Sequence, residues 1–186
     1  MQTASPVRIT TLTLALVAAA TAAGSQTAVS ADAHAHPAPA RLVQLVREAT
    51  RPFLDITQAG AAGYGPFLGC VSGPQSGAMG QHFVNPSLVG DGALDAAHPE
   101  ALIYEFRGER AELVGVEYIV DAATWLAAHD GPPVLEGQSF QLVGSPNRYA
   151  LPAFFELHVW AWRDNPNGTF ADWHARVHCD GHPGMP

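Results

Sequence analysis

The sequence predicts an α+β fold: an antiparallel sheet, curled toward a barrel, with an N-terminal helix packed on it. Three observations carry this expectation. One long helical period occupies residues 40–63. Beyond it, short stretches of strand character follow one another, separated by Gly, Pro, Asn and Asp. Only one further short helix is signalled among them. Helix first and strands afterwards is the α+β order, and strands joined by tight turns pair antiparallel.

The chain of 186 residues opens with a segment of a different kind. Arg8 is its lone early charge. Residues 12–23, LTLALVAAATAA, match the apolar core of a signal peptide and are too short to span a bilayer. Small residues at Val29 and Ala31 suggest cleavage after Ala31, with Ala22 as the alternative site. Residues 1–31 are therefore expected to be a signal peptide, an uncleaved anchor being the competing reading. Residues 32–40 read as a flexible, Pro- and Ala-rich leader. Residues 41–179 are expected to form a single globular domain, and residues 180–186 a loose tail.

Within that domain, Leu42, Leu45, Val46, Ala49, Phe53 and Ile56 recur at spacings of three and four, one face of a helix. Pro52 either kinks it or starts a second helix, with Thr50 as the N-cap. Gly60, Gly63 and Gly65 end the signal. Residues 69–80, GCVSGPQSGAMG, read as a connector. The Gly spacing fits neither a P-loop nor a dinucleotide-binding turn, and GxSxG is absent. Residues 81–85 form a short strand, and residues 86–99 a loop. Residues 101–106 and 111–120 are two strands of a hairpin turning around Gly108. Asp121 caps a short helix through residue 128. A strand at 139–143 follows, then FFELHVWAW at 154–162, then the turn DNPNG.

Composition narrows the function. Beyond Ala31, 8 arginines stand against 17 carboxylates and leave a net charge of −9. Such a surface disfavours nucleic acid and anionic lipid. After signal cleavage no membrane association is expected, and the oligomeric state is open. The chain has no lysine. Schiff-base chemistry, covalent pyridoxal phosphate and phosphate cradles of the P-loop type are thereby excluded. Cys70 and Cys179 are the only cysteines. In an exported chain they are expected to pair, closing a loop worth about 4–5 kcal/mol by chain-entropy reasoning. A catalytic thiol or metal thiolate competes weakly with this reading.

The chemistry-bearing residues emerge from strand parity. In residues 154–162, Phe155, Leu157, Val159 and Ala161 form one wholly apolar face. Phe154, Glu156, His158, Trp160 and Trp162 form the other. A carboxylate and an imidazole among aromatic rings must be paired, hydrogen-bonded or metal-bound. That face is expected to line a pocket. In residues 115–120, GVEYIV, Glu117 and Ile119 oppose Val116, Tyr118 and Val120. In residues 80–85, GQHFVN, His82 and Val84 share a face. His82, Glu117, Glu156 and His158 could thus converge on one side of one sheet. Two imidazoles with carboxylates suit a divalent metal such as Zn, Mn, Fe or Cu, with an open position for water or a small molecule. Neither HExxH nor a cupin pattern is present. The structural alternative pairs Glu117 and Glu156 with Arg148 or Arg163.

His174, His178 and His182 repeat every four residues. Cys179, Gly181 and Pro183 speak against a helix there, so the repeat is taken as coincidence. His34 and His36 fall in the leader and are expected to be solvated.

Two long stretches carry a resemblance: residues 77–105, GAMGQHFVNPSLVGDGALDAAHPEALIYE, and residues 147–173, NRYALPAFFELHVWAWRDNPNGTFADW. Together with LVGVEYIV between them, they resemble a family of exported bacterial proteins with no assigned activity. The resemblance implies no reaction. It does place His82, Glu117, Glu156 and His158 inside the family's motifs, while His174 stands where that pattern more often has Asn.

The sequence therefore points to a secreted or periplasmic, disulfide-linked domain with a polar, metal-binding pocket in its sheet. Two other classes remain beside it. One is a small-molecule enzyme using His158 and Glu156 as an acid–base pair. The other is a partner-binding module whose surface is Trp160, Trp162 and Trp173.

Overall fold

A computed structural model of the chain describes Met1, residues 38–73 and residues 75–181. The expected signal peptide, most of the leader with His34 and His36, and the end of the tail with His182 lie outside the described residues.

The helical period folds as three pieces. Helix α1, Ala38–Thr50, buries Leu42 and Val46 one turn apart. A single 3-10 turn, Arg51–Leu54, contains Pro52, and α2 spans Ile56–Ala61. The second helix exists, but its N-cap is Asp55, which accepts from the Thr57 backbone N–H at 2.9 Å. Thr50 stands at the N-cap position of the 3-10 turn, but its side chain makes no cap bond there, because its hydroxyl turns back to donate to the Val46 carbonyl at 2.6 Å.

The expected connector at 69–80 is instead a hairpin. Strands β1, Gly65–Gly73, and β2, Gly77–Val84, pair antiparallel with two register shifts. The glycines that mimic a loop in sequence supply left-handed backbone inside the strands, as at Gly69 (φ 85°) and Gly80 (φ 89°). Residues 86–99 also hold structure: α3, Pro86–Asp91, starts with Pro and is capped by the Asn85 side chain accepting from Ser87 N–H.

Strands β3, Ala101–Arg107, and β4, Arg110–Asp121, form the expected hairpin. Asp121 caps α4, Ala122–Leu126, by accepting from Thr124 N–H at 2.7 Å. The strand expected at 139–143 splits at buried Phe140. Residues Gln138–Ser139 (β6) pair with Val134–Leu135 (β5), while Gln141–Val143 (β7) joins the main sheet. Strand β8 is Phe154–Val159.

The main sheet has the order β1-β2-β3-β4-β8-β7 with every pairing antiparallel, and it curls into a half-barrel with the N-terminal helix packed on it. Its helix-facing side carries Leu102, Tyr104, Val116, Tyr118, Phe155, Leu157 and Val159, which pack with Leu42 and Val46 in the larger core. The three tyrosines on or beside this core place their hydroxyls on backbone carbonyls. Tyr64 donates to Pro99, Tyr104 to Phe53 and Tyr118 to Ala96. Cys70 and Cys179 form the expected disulfide, with Cα atoms 5.6 Å apart across 109 residues. Among the described residues no helix is long and apolar enough to cross a membrane.

Candidate metal centre and cavity

The second face of the sheet holds all four residues singled out by strand parity. Glu117 on β4 stands directly opposite His158 on β8, and Glu156 opposes Ile119 one pleat further along. His82 comes from β2, two strands from β4, with Ile103 of β3 as its direct neighbour. All four side chains are buried, His158 with 1 % of its surface exposed.

Their functional atoms meet. His82 Nε2 lies 3.3 Å from Glu117 Oε2, and His158 Nε2 lies 3.9 Å from Glu117 Oε1. The candidate ligand atoms of His82, Glu117 and His158 lie within 4.8 Å of one another. A second triad shares His158: its ligand atoms, with those of Glu156 and Asp172, also lie within 4.8 Å of one another. His158 is thus the hinge of both groups. Its Nε2 faces Glu117, and its Nδ1 lies 4.0 Å from Asp172 Oδ1.

Asp172 is the residue that sequence reasoning missed. It sits in the irregular segment after the DNPNG turn, where no periodicity assigns it a face. Gln141 on β7 donates to its Oδ1 at 2.8 Å and holds it at the edge of the site.

The protonation states follow from burial. Desolvation pushes His82 down to about 4, and it pushes His158 well below the usual histidine range with help from His82. Burial first, then the charge of Glu156, raises Glu117 well above the carboxylate range. Glu156 rises to about 7 through burial, opposed by its hydrogen bond with Glu117. Both shifts favour a proton shared on the Glu117–Glu156 pair, held on the Glu117 side. Although His82 and Glu117 approach as an ion pair would, they are a neutral imidazole beside a neutral acid.

Among the described residues no arginine side chain pairs with the site. Arg163 instead binds Glu105 at 2.6 Å and Glu112 at 2.9 Å. Arg148 donates to the Ser72 carbonyl and lies over the Trp173 ring. The alternative in which these arginines pair with Glu117 or Glu156 is therefore not what the chain adopts. Both ring nitrogens of His158 are buried without a hydrogen-bond partner among the described residues. Buried polar atoms in folded proteins almost always have one.

The expected aromatic face is only half right. Trp160 remains with His158, its ring 6.0 Å away and 20° from parallel. Gly115 makes room for it, since a Cβ there would meet the Trp160 ring at 3.1 Å. Beyond Val159 the strand parity breaks, with Ala161 N–H bonded back to Val159 O at 2.8 Å. Trp162 consequently swings to the helix side and donates to Thr50 Oγ1 at 2.9 Å. With Trp160 at 3 % exposure, the tryptophans do not form a common contact surface.

His174 is fully buried but belongs to a different arrangement. Its Nδ1 accepts from Arg176 N–H at 3.0 Å, and its ring stands edge-on to Trp160 at 4.8 Å. Its backbone bridges to Ala78. Residues 174–181 are not helical and His178 is exposed while His174 is buried, so these two members of the repeat share no face.

Above the polar cluster opens a cavity of about 660 Å³. His82, Glu117 and Glu156 reach it; His158 and Asp172 do not. Its walls are apolar, with Phe67, Leu68 and Val71 from β1 on one side and Tyr149, Leu151 and Phe154 on another. The β1 wall is irregular where it passes the cavity. Leu68 there takes a left-handed φ of 56° and is 57 % exposed.

The buried His, Glu and Asp groups could hold a metal ion at the foot of an apolar cavity. The chain matches no family model, no curated protein and no solved structure.

Proposed function

We propose that the protein binds a divalent transition metal (Zn, Mn, Fe or Cu) through His82, Glu117 and His158. The observation that carries this reading is the pair of unpartnered ring nitrogens of His158. An ion at Nε2 would use one of them. A modest approach of Asp172 to Nδ1 would use the other, giving the carboxylate–histidine–metal arrangement common around ligating imidazoles. The donor set suits the chemistry: two neutral imidazoles and one carboxylate, already desolvated, with the cavity on the open side. Glu156 completes the foot of the cavity as a further ligand or as the acceptor for a metal-bound water.

Because His158 does not reach the cavity, an acid–base pair of His158 and Glu156 acting on a substrate is the weaker reading. Of that pair, only Glu156 faces the space a substrate would enter.

The disulfide favours an oxidising compartment, consistent with the export expected from the signal peptide. Elemental analysis of untagged protein purified from that compartment tests the proposal. About one equivalent of a single transition metal is expected; protein that is metal-free, and stays so after exposure to each candidate ion, would defeat it.

A further inference from the structure

The cavity has a chemical character of its own, and it narrows what can enter. Its volume of about 660 Å³ lies within the range of small-molecule sites. Polar side chains gather at one end, where His82, Glu117 and Glu156 form the foot. The phenol of Tyr149 is turned to Met79 Sδ at 3.4 Å. Among the described residues no arginine lines the space, and the chain has no lysine. The Glu156 carboxyl group, with no cation beside it among the described residues, disfavours an anionic head group, and the apolar walls solvate a charged head of neither sign. A hydroxyl or amide head, by contrast, can donate to Glu156 and accept at the foot while its apolar body covers Phe67, Leu68, Val71, Leu151 and Phe154.

We infer that this cavity binds an uncharged, largely apolar small molecule end-on, with a single hydroxyl or amide head placed against Glu156 and Glu117. The inference deepens the proposed metal reading by naming the class of molecule presented to the ion's open side. It does not require the ion, because every group invoked belongs to the chain. The exposed Leu68 and Phe67 at the cavity wall give such a molecule an apolar threshold to cross.

The test uses the full chain stripped of metal with a chelator, with the disulfide intact. Calorimetric titration at pH 7.5 compares 1-octanol, octanoate and octylamine, which share one tail. Saturable binding of 1-octanol is expected, with octanoate at least about tenfold weaker, a difference of about 1.4 kcal/mol. Glu156→Gln keeps the shape and removes a carboxylate, so it should narrow the gap between 1-octanol and octanoate. Leu151→Trp should weaken all three ligands by filling the space. If Leu151→Trp does not fold, competition between 1-octanol and a neutral naphthylamine fluorophore on the wild type locates the site instead. Silence with 1-octanol, octanoate binding as tightly, or octylamine binding more tightly than 1-octanol would each overturn the inference. His158→Ala separates the two readings, since it removes an expected ligand outside the cavity. Loss of metal with 1-octanol binding retained fits both, whereas 1-octanol binding lost in that folded variant overturns the cavity inference alone.

Discussion

His82 and Glu117 meet at 3.3 Å although a whole strand, β3, runs between the strands that carry them. Strands two apart in a sheet are separated by roughly 9–10 Å. The side chains bridge that gap over Ala101, which is fully buried and pairs with Glu117 on one side and Val84 on the other. Ala101 puts only a methyl group into that span. Ala101→Leu is predicted to push the two apart and weaken metal binding by more than about tenfold, while overpacking costs about 1–3 kcal/mol of stability. Titration of folded variant with Zn(II) and Mn(II) checks this; unchanged affinity would mean the ion sits elsewhere.

His158→Ala is predicted to abolish metal binding, and His178→Ala to leave it intact. The motive is that His158 alone belongs to both triads, whereas His178 is exposed and away from them. Because metal stabilises only the state that binds it, saturating ion should raise the melting temperature of the wild type and of His178→Ala. A rise of equal size in His158→Ala would remove the proposed centre.

The pH dependence of metal binding is predicted to follow Glu117 more than the histidines. From the sequence one expects affinity to fall as pH drops through the ordinary histidine range. Burial has already made both imidazoles neutral there, with His82 down to about 4. Glu117, raised well above the carboxylate range, is what must lose a proton. Affinity should therefore rise with pH until Glu117 is ionised without metal, and binding below that point should release a proton. Calorimetry in buffers of different ionisation enthalpy measures the release; no buffer dependence at pH 6 would contradict the assignment.

Glu100 gives a prediction about stability that needs no metal. It is buried, accepts from Ile119 N–H at 3.0 Å, and is raised from 4.5 to about 8, chiefly by burial. A carboxyl group whose folded value is raised favours folding while protonated. Its contribution is fully present below about 4.5 and is lost as pH rises to about 8. Within that window the loss approaches 1.4 kcal/mol per pH unit, at about its steepest. Glu100→Gln can accept the same N–H and cannot ionise. Urea unfolding at pH 5 and pH 8 should show the wild type losing ground to the variant at the higher pH. An identical pH slope for both proteins would mean Glu100 is already ionised when folded.

Leu157→Ala is predicted to cost about 2–5 kcal/mol, since Leu157 is 3 % exposed within the larger core. Chemical unfolding with the disulfide intact measures it, and a loss below 1 kcal/mol, about the cost of one methylene, would mean that face is not packed as described.

Where a residue's role depends on period two, the sequence was legible. Glu117, His158, Glu156 and His82 stand on the face that alternation assigns them, because β4 and β8 run without interruption through that register. Legibility failed where the backbone leaves the regular period. Glycines in left-handed conformations disguised β1 and the first half of β2 as a loop, although residues 81–84 were legible as a strand, and a tight bend after Val159 moved Trp162 to the other side. Asp172 was invisible for a related reason: it reaches the site from a turn-rich segment held by a distant side chain, Gln141. The cavity could not be read either, since its walls come from segments far apart in the chain.

The disulfide adds a property of connectivity. Cys70 and Cys179 close a covalent ring, and His82, Glu117, Glu156, His158 and Asp172 all lie inside it. A single peptide cut in an exposed stretch of that ring, such as residues 126–130 or 144–146, opens the ring without dividing the molecule. Both new ends stay tethered to the same sheet, so no ligand is separated from the others by the break. In a compartment rich in proteases, damage to one loop would leave the centre in a single covalent piece. Only a second event, reduction of the disulfide, would let the parts diffuse away from each other.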